Sequence, residues 1–125
     1  MGRSEPIEVS VLIPVFNETE NLGELYAQLT KALDGFQYEL IFVDDGSTDG
    51  SYDALADLHA KDRRVKVIRL ARNFGQHAAL SAGVERAKGR ILVSLDADLQ
   101  YDPQDIPRLL AKIDEGYDVV SGWRI

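Results

Sequence analysis

Short apolar runs alternate along the chain with segments whose apolar residues recur at helical spacing. Four such runs predict buried strands over 8–15, 38–43, 65–70 and 91–95. The segments that follow them predict four helices. The first has inward positions at Leu22, Leu25, Tyr26, Leu29 and Leu33, and the second at Tyr52, Leu55 and Leu58. The third is the small-residue stretch 76–88, and the fourth has inward positions at Ile106, Leu109, Leu110 and Ile113. Asp102 and Pro103 predict the start of the last helix, Gly116 its end, and 118–121 a fifth strand.

Strands that alternate with helices predict an α/β fold assembled from right-handed β-α-β units. The expected architecture is a Rossmann-like, mostly parallel sheet with helices on both faces, and 125 residues suit a single domain over 1–125. In such sheets ligands bind beyond the carboxyl ends of the strands, where the strand order reverses. The polar segments that follow the strands are therefore the candidate site.

Carboxylates dominate those segments, which are Pro14-Val15-Phe16-Asn17-Glu18, Asp44-Asp45-Gly46-Ser47, Arg72-Asn73-Phe74-Gly75 and Asp96-Ala97-Asp98-Leu99-Gln100. Clustered carboxylates repel one another unless a cation or hydrogen-bond donors compensate. Because the chain has no cysteine, oxygen ligands favour a hard cation, Mg²⁺ or Mn²⁺. In extended backbone, alternate residues project to the same side, so Asp96, Asp98 and Gln100 would share one face of the pocket.

Each segment also has a structural interpretation. An isolated D-x-D is common in turns, and only the position of Asp96 and Asp98 between a buried strand and a capped helix favours a functional role. The Asp44-Asp45 pair would form a plain turn, or one carboxylate would accept a hydrogen bond from the ring N–H of a uracil or guanine base. The same choice between structure and function applies to Asn17 with Glu18, to Arg72 and to His77.

Composition narrows the classes of function. The net charge is −7, so a broad nucleic-acid surface is not expected, and the longest apolar run is far shorter than the ~20 residues that span a bilayer. The polar N-terminus carries no signal-peptide core, which favours a cytoplasmic location. No glycine-rich phosphate loop follows the first strand, and no acidic pair does either, which disfavours dinucleotide, P-loop and receiver folds.

Four motifs occur in register with the four strand ends: VSVLIPVFNE, LIFVDDGSTDGS, RNFGQHAALSAG and SLDADLQYDPQDIP. Together they resemble the inverting glycosyltransferases of family 2, which have the GT-A fold, and the chain is similar to the N-terminal, donor-binding half of these enzymes. The combination of DADLQ with RNFGQHAAL looks like the branch that transfers a sugar from a nucleotide diphosphate to a polyisoprenyl phosphate, such as dolichyl or undecaprenyl phosphate.

The resemblance implies a role for each matching position. A nucleotide pocket is expected to be lined by Pro14, Val15, Phe16 and Glu18. Asp44 or Asp45 would contact the base, and Asp96 the ribose or the metal shell. Asp98 with Gln100 would hold Mg²⁺ or Mn²⁺ on the diphosphate, which makes Asp96 and Asp98 the expected catalytic residues.

The resemblance also implies partners and a possible limit on activity. The donor is expected to be a UDP- or GDP-linked sugar and the acceptor a lipid phosphate, at the cytoplasmic face of a membrane. Members of the family carry about as much chain again beyond this segment, so the chain is expected to be truncated at its C-terminus. The alternative is a module that binds nucleotide without transfer. A sheet edge left open predicts self-association into a homo-oligomer.

Overall fold

A computed structural model describes residues 6–100 and 102–114. Its strands are β1 (Val9–Val15), β2 (Tyr38–Asp44), β3 (Val65–Arg69) and β4 (Ile91–Ser94). Its helices are α1 (Thr19–Ala32), α2 (Ser51–Lys61), α3 (Gln76–Arg86) and α4 (Ile106–Asp114), and a 3-10 turn at Pro103–Asp105 leads into α4. The predicted α/β alternation is confirmed. The predicted helix end at Gly116 and fifth strand over 118–121 lie outside the described residues.

All four strands are parallel and lie in the order β3-β2-β1-β4. The chain therefore moves outward from β1 through β2 to β3 and then crosses back to place β4 on the other side of β1. The strand order therefore reverses between β1 and β4, and in open parallel sheets ligands bind at the carboxyl ends of the strands beside such a reversal. The topology thus selects the ends of β1 and β4 as the place for a ligand.

Each face of the sheet packs against helices, because both sets of alternating residues on the central strands are mostly apolar. On one face Val11 and Ile13 lie in the same core as Leu25 of α1 and Leu55 of α2. Each fully buried side chain of this size contributes about 1.5 to 3 kcal/mol to folding. On the other face α3 packs over β1 and β2 through small residues, and a Cβ atom added at Gly83 would lie 3.3 Å from Leu12 Cδ2. The small residues of α3 thus let this helix lie close to the sheet.

A buried carboxylate holds the amino ends of the strands together. Glu39 of β2 is 1% exposed, and its Oε2 accepts hydrogen bonds from Ser10 Oγ at 2.6 Å and from the backbone N–H of Lys88 at 2.7 Å. Lys66 Nζ of β3 lies 3.4 Å from Oε1. Burial alone would raise the pKa of Glu39, but these hydrogen bonds and the charge of Lys66 outweigh burial and lower the pKa below 4.5, its usual value.

Glu39→Gln is expected to lower the free energy of unfolding at neutral pH by about 1 to 3 kcal/mol, because it removes the charge from a buried, hydrogen-bonded site. A lowered pKa means that this contribution is complete above about pH 4.5 and is lost as the pH falls through the folded-state pKa. Melting temperatures of both proteins between pH 7 and pH 3 should therefore converge on acidification. Glu20→Gln, at an exposed position of α1, is the control. If the difference in melting temperature between the wild type and Glu39→Gln stays constant with pH, the stabilisation does not come from the ionised Glu39 carboxylate.

Candidate active site

A cavity of about 310 Å³ opens at the carboxyl ends of the strands, beside the point where the strand order reverses. Its lining comes from the segments after β1, β2, β3 and β4, and consists of Pro14, Val15, Phe16, Glu18, Asp45, Asn73, Gly75, Gln76, Asp96, Ala97 and Asp98. Seven of the predicted site residues therefore meet at one cavity: Pro14, Val15, Phe16, Glu18, Asp45, Asp96 and Asp98. Asp44 and Gln100 do not line it.

Hydrogen bonds between two loops fix the wall that carries Phe16 and Glu18. The backbone N–H of Asn17 donates to Ser47 Oγ at 2.8 Å, and Asn17 Oδ1 accepts from the backbone N–H of Thr48 at 2.8 Å. The backbone N–H of Glu18 donates to Ser51 Oγ at 3.0 Å. Asn17 has a φ of 54°, a left-handed conformation that asparagine tolerates better than most residues. Of the two alternatives for this segment, side-chain capping of α1 is not what the structure shows, because Glu18 precedes the helix without a side-chain cap hydrogen bond and the segment instead bonds to residues after β2.

Asp49 completes these contacts from the other side. Its carboxylate accepts from Ser51 Oγ at 2.6 Å and from the backbone N–H of Thr19, the first residue of α1, at 3.2 Å. The hydrogen bonds from Ser51, followed by those from Thr19, outweigh the opposing effect of desolvation and lower the pKa of Asp49 to about 2. The carboxylate is therefore ionised at neutral pH, and the two loops are held before any ligand arrives.

The two aspartates after β2 have different surroundings. Asp45 lines the cavity, and its two oxygens accept hydrogen bonds from the backbone N–H groups of Phe74 at 2.7 Å and Gly75 at 2.9 Å. Asp44 is fully buried, with Oδ1 accepting from the backbone N–H of Ser47 at 3.2 Å and Oδ2 buried without a partner among the described residues. Of the two alternatives left open by the sequence, Asp45 is the one that faces the cavity.

Gly46 allows the loop after β2 to lie against the loop after β3. Its φ is +77°, and a Cβ atom placed there would clash with the backbone N of Asn73 and would lie 2.9 Å from Arg72 Cα. Both features require glycine, since a side chain would meet backbone that has no room to move. Because the two loops are in contact here, the backbone N–H groups of Phe74 and Gly75 lie close enough to donate to the Asp45 carboxylate.

The segment after β4 does not stay extended. Asp96 and Asp98 both line the cavity, but the chain turns at 97–98 and Leu99 has a φ of 65°. Asp98 Oδ1 accepts from the backbone N–H of Gln100 at 3.1 Å, and the Gln100 side chain is exposed outside the cavity. The expectation that Asp96, Asp98 and Gln100 share one face is corrected here, because period-two alternation fails once a left-handed residue interrupts the strand.

The loop after β3 contributes more to the site than the sequence indicated. Asn73, Gly75 and Gln76 line the cavity, and Gln76 Nε2 donates to Asp96 Oδ1 at 2.8 Å. Arg72 does not line it and instead stacks its guanidinium 4.7 Å from the centroid of the Phe74 ring. In the sequence, the only indication that this segment belongs to the site was its position. Residues 72–75 follow a predicted strand, and Gln76 comes directly after them.

Four carboxylates line the cavity, from Glu18, Asp45, Asp96 and Asp98, and among the described residues no lysine or arginine does. Two of them are partly neutralised by donors, since Asp45 has two backbone N–H groups and Asp96 has the Gln76 amide. The cavity is therefore electronegative, and an anionic ligand would enter it only with a cation.

A divalent ion in this cavity would need ligands beyond the side chains that the structure describes. Within residues 6–100 and 102–114 no group of three or more histidine, aspartate or glutamate side chains is arranged to hold a metal ion. Asp96 and Asp98 supply two carboxylates of the type that Mg²⁺ and Mn²⁺ prefer, and such ions commonly complete their shells with water and substrate phosphates. The residues present therefore fit a cation that is shared with a bound diphosphate.

The model of the protein family Glycosyl transferase family 2 matches residues 10–125, which is most of the chain. The chain belongs to glycosyltransferase family 2. The match includes all four segments that line the cavity, so the family assignment and the geometry concern the same part of the molecule.

Solved structures of glycosyltransferases share the fold. TarS 1-349 from S. aureus is 26% identical over 87% of this chain and 33% of its own, with a TM-score of 0.72. The same TarS fragment in complex with UDP is 24% identical over 92% of this chain and 38% of its own, with a TM-score of 0.72. The mannosyltransferase PcManGT from Pyrobaculum calidifontis, in complex with GDP-Man and Mn²⁺, is 24% identical over 82% of this chain and 30% of its own, with a TM-score of 0.70.

These comparisons confirm the predicted GT-A architecture and the enzyme class. The chain spans about a third of the length of the structures that it matches. Across the part of the chain that the structure describes, no helix is both long and apolar enough to cross a membrane.

Proposed function

We propose that the chain binds the nucleotide diphosphate of an activated sugar in the cavity at the ends of β1, β2 and β4. The observation that carries the proposal is the convergence of Glu18, Asp45, Asp96 and Asp98 on one crevice beside the reversal of strand order. A family 2 chain with an electronegative crevice of this kind suits a diphosphate that arrives with a divalent cation.

The lining suggests which part of the donor each residue contacts. Asp45 and the half-exposed ring of Phe16 would bind the base, because the ring offers a stacking surface and the carboxylate accepts from an imide or amide N–H. Pro14, Val15 and Glu18 would complete this nucleotide wall. Asp96, which presents one oxygen that has no partner within the described residues, would contact the ribose or the metal shell.

Asp96 and Asp98 would hold Mg²⁺ or Mn²⁺ together with the diphosphate oxygens. Such an ion supplies Lewis-acid stabilisation of the charge that develops on the departing nucleoside diphosphate. Gln100, whose backbone already donates to Asp98, would bring its side chain to the same ion only after the turn at Leu99 rearranges.

In the whole protein we propose transfer with inversion to a lipid phosphate at the cytoplasmic face of a membrane. A phosphate monoester has its second pKa near ~6, so it is already largely anionic at neutral pH and needs little help from a general base. Of the described residues, His77 is exposed and does not line the cavity, so no imidazole stands ready to activate a hydroxyl acceptor there. This favours an acceptor that is already ionised.

Isothermal titration calorimetry with UDP and with GDP, each with Mn²⁺ and with EDTA, tests the donor site. We expect one nucleotide to bind, and to bind more tightly with Mn²⁺, because four carboxylates otherwise repel the diphosphate. Uridine and guanosine serve as controls, since a nucleoside has no diphosphate and its affinity should depend little on the metal. No heat with either diphosphate would refute the proposal.

The second candidate function is nucleotide binding without transfer, which is favoured by a cavity lining that, within the described residues, has no lysine, arginine or histidine to receive an anionic acceptor. Incubation with a UDP- or GDP-sugar and a short-chain polyprenyl phosphate separates the two candidates. Lipid-dependent release of nucleotide supports transfer, whereas binding without such release supports the module.

A further inference from the structure

Three consecutive residues after β3 connect the two ends of the cavity. The backbone N–H groups of Phe74 and Gly75 hold the two oxygens of Asp45, at the end of β2. The next residue, Gln76, donates from Nε2 to Asp96 Oδ1 at 2.8 Å, beyond the end of β4. We call residues 74–76 the carboxylate bridge. It links the segments that follow β2 and β4, the two strands on either side of β1.

The hydrogen bond between Gln76 and Asp96 leaves part of Asp96 available. A carboxylate at neutral pH only accepts, so the amide of Gln76 must present its nitrogen to it. Within the described part of the chain, the Gln76 amide is the sole side-chain partner of Asp96, and it engages Oδ1. Oδ2 is therefore left for a ligand, while the orientation of the carboxylate is set by a neutral donor that adds no charge to the cavity.

We propose that Gln76 is a positioning residue that fixes the orientation of Asp96 and thereby strengthens binding of the nucleoside diphosphate. This inference rests on the proposed function of the cavity. An unrestrained aspartate next to other carboxylates would turn its charge toward water, and the ligand would then have to restore its orientation at an entropic cost. Gln76 removes that cost before binding.

A double-mutant cycle tests whether Gln76 acts through Asp96. Affinity for UDP and GDP with Mn²⁺ would be measured for the wild type, Gln76→Ala, Asp96→Ala and the double variant, with titrations extended to millimolar nucleotide. We expect Gln76→Ala to weaken binding roughly fivefold, which corresponds to the entropic cost of fixing one side chain on binding. We expect no further loss when Gln76→Ala is added to Asp96→Ala.

Gln28→Ala is the matched control, because Gln28 Nε2 donates to Glu24 Oε2 at 2.7 Å on the exposed surface of α1, away from the cavity. It should leave nucleotide affinity unchanged, and both glutamine variants should keep the wild-type melting temperature. Wild-type affinity in Gln76→Ala would overturn this inference and leave the proposed function intact. A further loss in the double variant would also overturn it, since Gln76 would then contact the ligand directly.

A measurement without nucleotide separates this inference from the proposed function. The side-chain NH₂ signals of Gln76 in the NMR spectrum of the free protein should shift when Asp96 is replaced by alanine, because their acceptor is lost. Unchanged signals would refute the hydrogen bond itself. If the signals shift but the wild type binds neither UDP nor GDP, the proposed function fails and the contribution of Gln76 to binding fails with it.

Discussion

Replacing Gly46 by alanine is expected to lower the free energy of unfolding by about 4 kcal/mol. The added methyl group would clash with the backbone of Arg72 and Asn73, and the positive φ is unfavourable for any residue with a Cβ atom. Relief would require the loops after β2 and β3 to separate, which would also pull the carboxylate bridge away from Asp45. Urea denaturation followed by circular dichroism measures the loss.

Gly35→Ala distinguishes the clash from the conformational strain. Gly35 has a φ of +93°, but a Cβ atom there would meet nothing within 4 Å. We therefore expect a loss of only about 1 kcal/mol, the cost of placing alanine in the left-handed region. Equal losses in the two variants would show that the contact between the loops is unimportant.

Asp98→Ala is expected to remove the dependence of nucleotide affinity on Mn²⁺. With one of the two carboxylates proposed to hold the ion gone, the ion would be held by Asp96 and the diphosphate alone, so the gain in affinity on adding Mn²⁺ should fall at least about tenfold. Calorimetric titration of the favoured nucleotide with Mn²⁺ and with EDTA measures that gain for each protein.

Asp53→Ala is the matched control, since it removes the same charge from an exposed position in the first turn of α2. Its titration with Mn²⁺ should match the wild type. If Asp98→Ala keeps the full effect of Mn²⁺ while Asp53→Ala does too, Asp98 is not a ligand of the ion. A melting temperature for Asp98→Ala checks that loss of its hydrogen bond with the Gln100 N–H has not loosened the fold.

The sequence predicted the two central strands well because β1 and β2 are buried and mostly apolar along their length, and it predicted the partly exposed strands β3 and β4 from their apolar positions. All residues of β2 are buried, Glu39 among them, and the predicted run over 38–43 ends one residue before the strand does. The helices between the strands imply a parallel sheet. In such a sheet the carboxyl ends of all strands lie at the same edge. The grouping of Glu18, Asp45, Asp96 and Asp98 at one cavity was predictable for this reason.

Details within the loops were not predictable by the same argument. Nothing in the local sequence marks Leu99 as left-handed, yet its φ of 65° decides that Gln100 leaves the cavity. The choice between Asp44 and Asp45 depends on which carboxylate the N–H groups of Phe74 and Gly75 reach, and those groups come from a different strand end. Such contacts form only when distant segments are packed together, so alternation and turn propensities carry no information about them.

The close packing of α3 has a consequence for engineering the site from a distance. Gly83 lies near the C-terminal end of this helix, where an added Cβ atom would meet the side chains of Leu12 and Val43, whereas the carboxylate bridge adjoins the first turn. We expect a larger side chain at Gly83 to push this helix away from Leu12 and Val43, and a shift of the helix would also displace Gln76, its first residue, which donates to Asp96. A graded series of substitutions at Gly83 would therefore shift α3 by increasing amounts. We expect such a series to change donor affinity without altering any residue that lines the cavity.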